Sequence, residues 1–128
     1  MLTVDAMWER LKRINKIIKD SQEKPDKDGW PNTAHHVDNI PSFIDRFGDS
    51  FSSQELSLIA ETIEDGLKNG DEYCQTVAAT YFLEALVNIT DRRSGPAGRL
   101  LKLLGPEARE YIDAYDQLHG VPPRKWDQ

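Results

Sequence analysis

Two adjacent histidines are the residues whose types first suggest metal chemistry in this chain. His35 and His36 follow each other directly, whereas two histidines that chelate one ion from a helix are spaced as His-x-x-x-His. No cysteine or acidic residue lies at a spacing that would complete a ligand set around them. We therefore predict a polar pair in a loop and no metal site. His119 stands alone near the end of a predicted helix, where its protonated form would interact favourably with the helix dipole.

Cys74 is the second candidate for chemistry, because it lies in the first turn of a predicted helix, where the helix dipole lowers the pKa of a thiol. Asp71 and Glu72 are close in sequence and act in the opposite direction. No histidine is near in sequence to serve as a base. We predict a buried small residue rather than a nucleophile. As the only cysteine of the chain, it cannot form an internal disulfide, which is typical of a reducing cytosol.

Carboxylates are abundant, and their distribution along the chain is more informative than any pair of them. Residues 38–90 contain ten Asp and Glu against two basic residues, a net charge of −8, whereas 1–37 and 91–128 each carry +1. The net charge of −6 disfavours nucleic acid as a partner, since phosphate binding depends on Lys and Arg. No glycosidase, metal–carboxylate, dinucleotide-binding, phosphate-loop or serine-hydrolase pattern is present. The composition therefore predicts a basic protein partner, with no cofactor and no catalytic residue.

The apolar segments of the chain are short. None approaches the roughly 20 apolar residues of a membrane span, and the N-terminus lacks the basic and apolar regions of a secretory signal. We expect a cytoplasmic protein that does not bind membranes. A length of 128 residues predicts a single domain over 1–128.

The elements that must position these residues are helices. Hydrophobic residues recur with the 3.6-residue period and not with the alternation of strands, which predicts an all-α fold of about six helices. The first helix is expected over about 3–20. Residues 21–37 combine two prolines, a glycine and many polar residues, which predicts a long polar loop attached to the domain by Trp30. A short helix then begins around Pro41, because proline suits the first turn.

Capping residues define the next two helices. Ser52 and Glu55 have the spacing of a capping box. Gly70, in the left-handed conformation, ends the helix that follows, and Asp71 caps the next one, so a helical hairpin is expected. The helix over about 72–90 is apolar nearly all round, which predicts a central position.

The last third of the chain predicts two shorter helices. Each begins at a proline, Pro96 and Pro106, and residues 120–128 are expected to form an irregular tail. The second half resembles the helical hairpins of α-solenoids, but no repeated motif is present. The sequence leaves a compact irregular bundle and a solenoid-like second half both open.

A strip of polar and aromatic residues on two consecutive helices is the predicted partner-binding surface. Glu61 and Asp65 form an i, i+4 like-charge pair, which destabilises a helix slightly and suggests a positive ligand; the alternative is a solvated acidic face. On the central helix one arc holds Tyr73, Val77, Thr80, Tyr81, Glu84 and Asn88. Tyrosine is enriched in interfaces, and a nearby carboxylate can bind Arg or Lys. The alternative is that Glu84 pairs with an internal arginine and the tyrosines fill the core. The predicted contact residues are Leu58, Glu61, Glu64, Asp65, Glu72, Tyr73, Tyr81, Glu84 and Asn88.

Two stretches of the acidic middle carry a resemblance to a known group of proteins. They are Asn69-Gly70-Asp71-Glu72 and Val77-Ala78-Ala79-Thr80-Tyr81-Phe82-Leu83-Glu84. Together with size, acidity and helical character, they resemble small acidic bacterial immunity proteins of contact-dependent growth-inhibition and polymorphic-toxin systems. The resemblance implies a cytosolic protein that binds and neutralises a cognate toxin domain, often a nuclease. It carries no individual site residue over to this chain.

The preferred functional hypothesis is a non-enzymatic immunity protein with an acidic binding surface. A nuclease presents basic groups to phosphates, so a complementary acidic surface would speed association and select the partner. The alternative is a helical scaffold or adaptor that holds a peptide or partner protein in a groove, through apolar anchors and with little dependence on salt. A third class, an enzyme that uses clustered carboxylates and a metal, would require a tightly bound divalent ion.

Overall fold

The computed structural model describes residues 1–21, 33–92 and 94–126, and this part of the chain is all-α, as predicted. If the continuous helical run over 72–92 is counted once, these residues contain seven helices. They are α1 Val4–Ile14, α2 Lys16–Asp20, α3 Thr33–Arg46, α4 Ser53–Asn69, the run over 72–92, α7 Ala97–Leu101 and α8 Pro106–Leu118. The run over 72–92 consists of α5 Glu72–Thr76, a π-helical stretch Val77–Leu83 and α6 Glu84–Arg92. Their apolar faces share one hydrophobic core, which is the arrangement of an irregular bundle.

The first predicted helix is interrupted at Asn15. The backbone of Asn15 is extended, with φ −148° and ψ 139°, so α1 ends before it and α2 begins after it. Its side-chain oxygen accepts from Ile17 N at 2.8 Å, and its amide nitrogen donates to Ser50 O at 2.8 Å and to Glu55 at 3.2 Å. The prediction of one helix was wrong because these tertiary bonds offset the lost helical bonds.

Helix α3 begins at Thr33, so the predicted loop over 21–37 was too long and a helix start at Pro41 was wrong. One stripe of the helix is buried: Ala34, Val37, Ile40, Pro41 and Ile44. Pro41 lies inside α3, where proline removes one helical hydrogen bond. Burial of the stripe outweighs that loss. The prediction for Trp30 lies outside the described residues.

The capping chemistry of α4 and α5 agrees with the sequence. Ser52 Oγ accepts from Glu55 N at 3.1 Å, and the Glu55 carboxylate accepts from Ser52 N at 2.8 Å. Asp71 accepts from Cys74 N at 2.8 Å. Gly70 differs from its prediction, since its φ of −75° and ψ of 154° are extended. Leu2 explains the difference, because it pairs as a short parallel bridge with Gly70 and holds that linker straight.

The run over 72–92 occupies the centre of the bundle, as predicted. Val77, Ala78, Phe82 and Leu83 are fully buried in its π-helical stretch. Val77 was expected on the exposed arc, and that placement was wrong. The arc assumed 3.6 residues per turn, whereas the wider π turn moves residues to other faces of the helix.

Residues 121–126 form no helix or strand, yet two side chains attach them to the bundle. Arg124 donates to Asp116 from Nε at 2.6 Å and from Nη2 at 3.1 Å. Trp126 Nε1 donates to Asp113 at 2.9 Å. The irregular tail is therefore held in place by side chains rather than by backbone pairing. No helix in the part of the chain that the structure describes has the length and apolarity that crossing a membrane requires.

Candidate functional site

The four predicted contact residues of α4 lie on one side of that helix. Glu61, Glu64 and Asp65 line a groove of about 280 Å³ together with Leu103. Leu58 is 41% exposed on the same helix. The structure therefore brings the three α4 carboxylates together, but it gives each of them a different role.

Glu64 is the N-terminal cap of another helix. Its two carboxylate oxygens accept from Glu107 N at 2.8 Å and from Ala108 N at 3.0 Å, in the first turn of α8. A carboxylate at a helix N-terminus satisfies unpaired backbone donors and interacts well with the dipole. Gly105 allows this approach, since a Cβ there would lie 2.7 Å from the Glu64 carboxyl carbon. Glu64 thus has a structural role that its prediction as a partner-binding residue did not include.

Asp65 is neutralised within the chain. Asn69 Nδ2 donates to it at 2.6 Å and Arg10 forms an ion pair with it, and these bonds lower the pKa of the Asp65 carboxyl. The like-charge pair with Glu61 is therefore compensated by Arg10 from α1 and needs no external ligand. In this groove Glu61 alone keeps an exposed carboxylate with no hydrogen bond or ion pair among the described residues.

The aromatic residues of the predicted strip point to different neighbours. Tyr81 is half-buried, and its ring meets that of His35 edge-on with centroids 6.1 Å apart. His36 is buried beside Trp8, with ring centroids 5.1 Å apart. Both histidines lie on α3, so their prediction as a loop pair was wrong. Tyr73 is 57% exposed.

Asn88 and Cys74 complete the comparison with the sequence. Asn88 is exposed on α6, as the strip required. Cys74 is fully buried, and burial is the main cause that raises the pKa of its thiol, with Asp71 and Asp65 adding to it. This confirms the prediction of a buried small residue. The residues that the structure describes contain no group of three His, Cys, Asp or Glu side chains able to share a metal ion.

Glu84 accepts a hydrogen bond from the Tyr111 hydroxyl at 2.5 Å. Its partner is thus a tyrosine of α8 and not one of the arginines that the sequence offered. Burial and this bond raise the pKa of Tyr111 to about 12. The pair joins the helical run over 72–92 to α8 at one end of a second groove.

This second groove, here called the acidic groove, lies between the end of α4, the start of the run over 72–92, and α8. Its volume is about 480 Å³. The lining residues are Leu67, Glu72, Gln75, Thr76, Ala79, Thr80, Glu107, Glu110, Tyr111 and Ala114. Three of them are carboxylates and none is basic. The side chains of Glu72, Glu107 and Glu110 are exposed and make no hydrogen bond or ion pair within the described parts of the chain.

The groove combines negative charge with apolar surface. Leu67, Ala79 and Ala114 line it together with the carboxylates. Lysine and arginine have the matching shape, because a long apolar stem ends in a charged head. The arrangement can therefore hold basic side chains by burying their stems and pairing their heads.

Sequence reasoning missed the contribution of α8 to this groove. Glu107, Glu110, Tyr111 and Ala114 recur at spacings of three and four, which places them on one helix face. That signal was available, but residues 91–128 carry a net charge of +1 and did not stand out. Of the nine predicted residues, Glu72 lines the acidic groove and Glu84 bonds to Tyr111 in its wall.

The raised pKa of Tyr111 predicts a late ionisation. We expect the difference in tyrosinate absorbance between the wild type and Tyr111→Phe to titrate near pH 12. Glu84→Gln should move this ionisation to lower pH, whereas Glu61→Gln should leave it in place. Because the folded-state pKa exceeds the unfolded value of 10.0, the stability from this group is complete below pH 10 and is lost as the pH rises through about 12. An ionisation unaffected by Glu84→Gln would contradict the assignment.

The fold and the groove together define the class: an all-α protein with an acidic surface groove. A family model described as a domain of unknown function (DUF7674) matches residues 9–120, and the chain belongs to this family. All residues that line the acidic groove lie inside the matched range. No curated protein and no solved structure matches the chain.

Proposed function

We propose that this protein is a non-enzymatic binding protein whose acidic groove receives a basic segment of a partner protein. One observation carries the proposal. Glu72, Glu107 and Glu110 lie in one groove with no basic residue in its lining and no partner in the described chain. Like charges held close together repel, and a cationic partner would remove that repulsion on binding.

The partners of carboxylates elsewhere in the molecule support this proposal. Asp65 is paired with Arg10, Asp116 with Arg124, and Glu64 with backbone donors. The fold thus compensates several of its other acids with its own groups. The acidic groove instead gathers three uncompensated carboxylates in one concave surface that also has apolar lining residues, and such a surface is suited to binding.

The partner class that we propose is a bacterial toxin domain, with a nuclease as the preferred kind, and the chain would be its cytoplasmic immunity protein. The resemblance of the acidic middle to immunity proteins supports this choice. The physical reason is independent of that resemblance, because a nuclease must present Lys and Arg to phosphates. An acidic groove offers those same groups a competing site, and long-range attraction speeds their encounter.

The proposal predicts protection that depends on the groove charges. The gene immediately upstream of this chain's gene should encode the toxin. Expression of the C-terminal domain of that upstream protein should stop bacterial growth, and co-expression of this chain should restore it. Glu72→Lys/Glu110→Lys should bind that domain at least about tenfold more weakly, because two attractive contacts become repulsive. Association of the wild type should slow as salt is raised. Growth assays measure the protection, and binding kinetics measure the affinity of the variant and the salt dependence of the wild type.

The matched control is Asp20→Lys/Asp49→Lys, which changes the net charge equally at two exposed carboxylates outside the groove. It should keep full protection. Equal loss in both double variants would mean that net charge and not the groove matters. Unchanged protection by Glu72→Lys/Glu110→Lys would overturn the acidic groove as the interface. Salt-independent binding of unrelated peptides would instead support the scaffold function.

A further inference from the structure

A further groove, here called the basic groove, lies where α7 meets the irregular tail and has the opposite charge to the acidic groove. Its volume is about 620 Å³, within the range of small-molecule sites. Arg99, Lys102, Arg124 and Lys125 contribute to its lining, and among the residues that the structure describes no acidic one lines it. This basic groove is unexpected in a chain whose net charge is −6.

Three of the four cations are available to a ligand. Arg124 is already paired, since it donates to Asp116 and, at 3.2 Å and 3.3 Å, to Asp91. Arg99, Lys102 and Lys125 have no carboxylate partner in the described parts of the chain. Arg99 Nη1 donates to Gly48 O at 3.3 Å. That bond orients the guanidinium and leaves its other N–H groups free.

The groove lining also includes two large apolar side chains. Leu101 and Trp126 are both half-buried in it. The Trp126 ring is fixed by its bond to Asp113 and by the Arg109 guanidinium 5.3 Å from its centroid. The space at Gly98 is open, since a Cβ added there would meet no atom within 4 Å. The site therefore combines three cations with an aromatic ring that can contact a planar group.

We propose that the basic groove binds a small organic phosphate that carries a flat ring, the chemistry of a nucleotide. The phosphate would be held by Arg99, Lys102 and Lys125, since a doubly charged anion with several acceptor oxygens matches a guanidinium fork and two ammonium groups. The ring would lie against Leu101 and Trp126. This site is separate from the acidic groove and does not depend on its function.

Calorimetric titration of the full chain at low salt tests the proposal, with AMP as the probe and inorganic phosphate and a short single-stranded DNA as comparators. We expect AMP to bind more tightly than phosphate. Lys102→Gln/Lys125→Gln should weaken AMP binding by about tenfold or more, because two charge-assisted contacts are lost. The matched control Lys16→Gln/Lys19→Gln removes two exposed charges outside the groove and should leave binding unchanged.

Gly98→Leu provides a test that leaves all charges in place. A Cβ at this position would meet no atom within 4 Å, so the fold should persist by circular dichroism. Because Gly98 lines the groove, the larger side chain should abolish AMP binding. Absence of AMP binding at about millimolar concentration, or equal weakening by both lysine pairs, would overturn the proposal. Equal affinity for AMP and phosphate would overturn the role of the ring. Binding of DNA without binding of AMP would overturn the proposal of a small-molecule ligand and indicate a nucleic acid as the ligand of the basic groove.

Discussion

Replacement of Arg124 by Met is expected to lower the free energy of unfolding by about 3–5 kcal/mol. The reason is the carboxylate that remains. Asp116 is 2% exposed, and Arg124 satisfies both of its oxygens. Without the guanidinium, a buried charge has no partner, and this costs more than the pair contributed. Thermal denaturation should show the melting temperature lowered by about 10 °C or more.

Two comparisons separate this effect from a general loss of charge. Arg10→Met breaks the ion pair with Asp65, whose side chains are 42% and 33% exposed, and should cost no more than about 1 kcal/mol. Arg124→Met/Asp116→Leu removes both charges and should be more stable than Arg124→Met alone. If Arg124→Met cost no more than Arg10→Met, the tail would not be anchored through Asp116.

Replacement of Phe82 by Ala is expected to lower the free energy of unfolding by about 3–5 kcal/mol. Phe82 is fully buried in the π-helical stretch. Truncation removes its apolar surface from the core and leaves a cavity that the surrounding helices can fill only partly. Chemical denaturation with a two-state fit measures the change.

Phe47→Ala is the matched control, because it makes the same chemical change at a side chain that is 42% exposed. Its cost should be well below that of Phe82→Ala, since less surface leaves the core. Similar costs at the two positions would show that the π-helical stretch is not the centre of the core.

The lining of the acidic groove includes Ala79 and Thr80 of the same stretch. If the proposed partner binds there, its binding should weaken with Phe82→Ala.

The features that were predictable from the sequence are those with partners nearby in the chain. The capping box of Ser52 and Glu55 joins residues three apart, and so does the cap of Asp71 on Cys74. The interruption at Asn15 was not predictable, because its side chain bonds to Ser50 and Glu55, 35 and 40 residues away. Nothing near Asn15 in the sequence indicates that those groups will be close in space.

The same distinction applies to the candidate site. The acidic balance of residues 38–90 drew attention to α4 and to the run over 72–92, and it identified Glu72. The structural role of Glu64 was not predictable, because the backbone donors that it caps lie 43 and 44 residues away. Glu107 and Glu110 were missed because charge was counted along the chain, whereas the groove collects residues across helices.

The sequence by itself determined the all-α class, the main capping residues and the excess of negative charge, because hydrophobic period, local hydrogen bonding and composition are properties of neighbouring residues. Only the tertiary structure decided which carboxylates are paired within the chain. Arg10 neutralises Asp65, and Glu64 accepts from the first backbone N–H groups of α8. Glu72, Glu107 and Glu110 line one groove with no cation among the described residues of its lining. The physical reason is that electrostatic compensation acts through space, between groups that only the packing of the helices brings together.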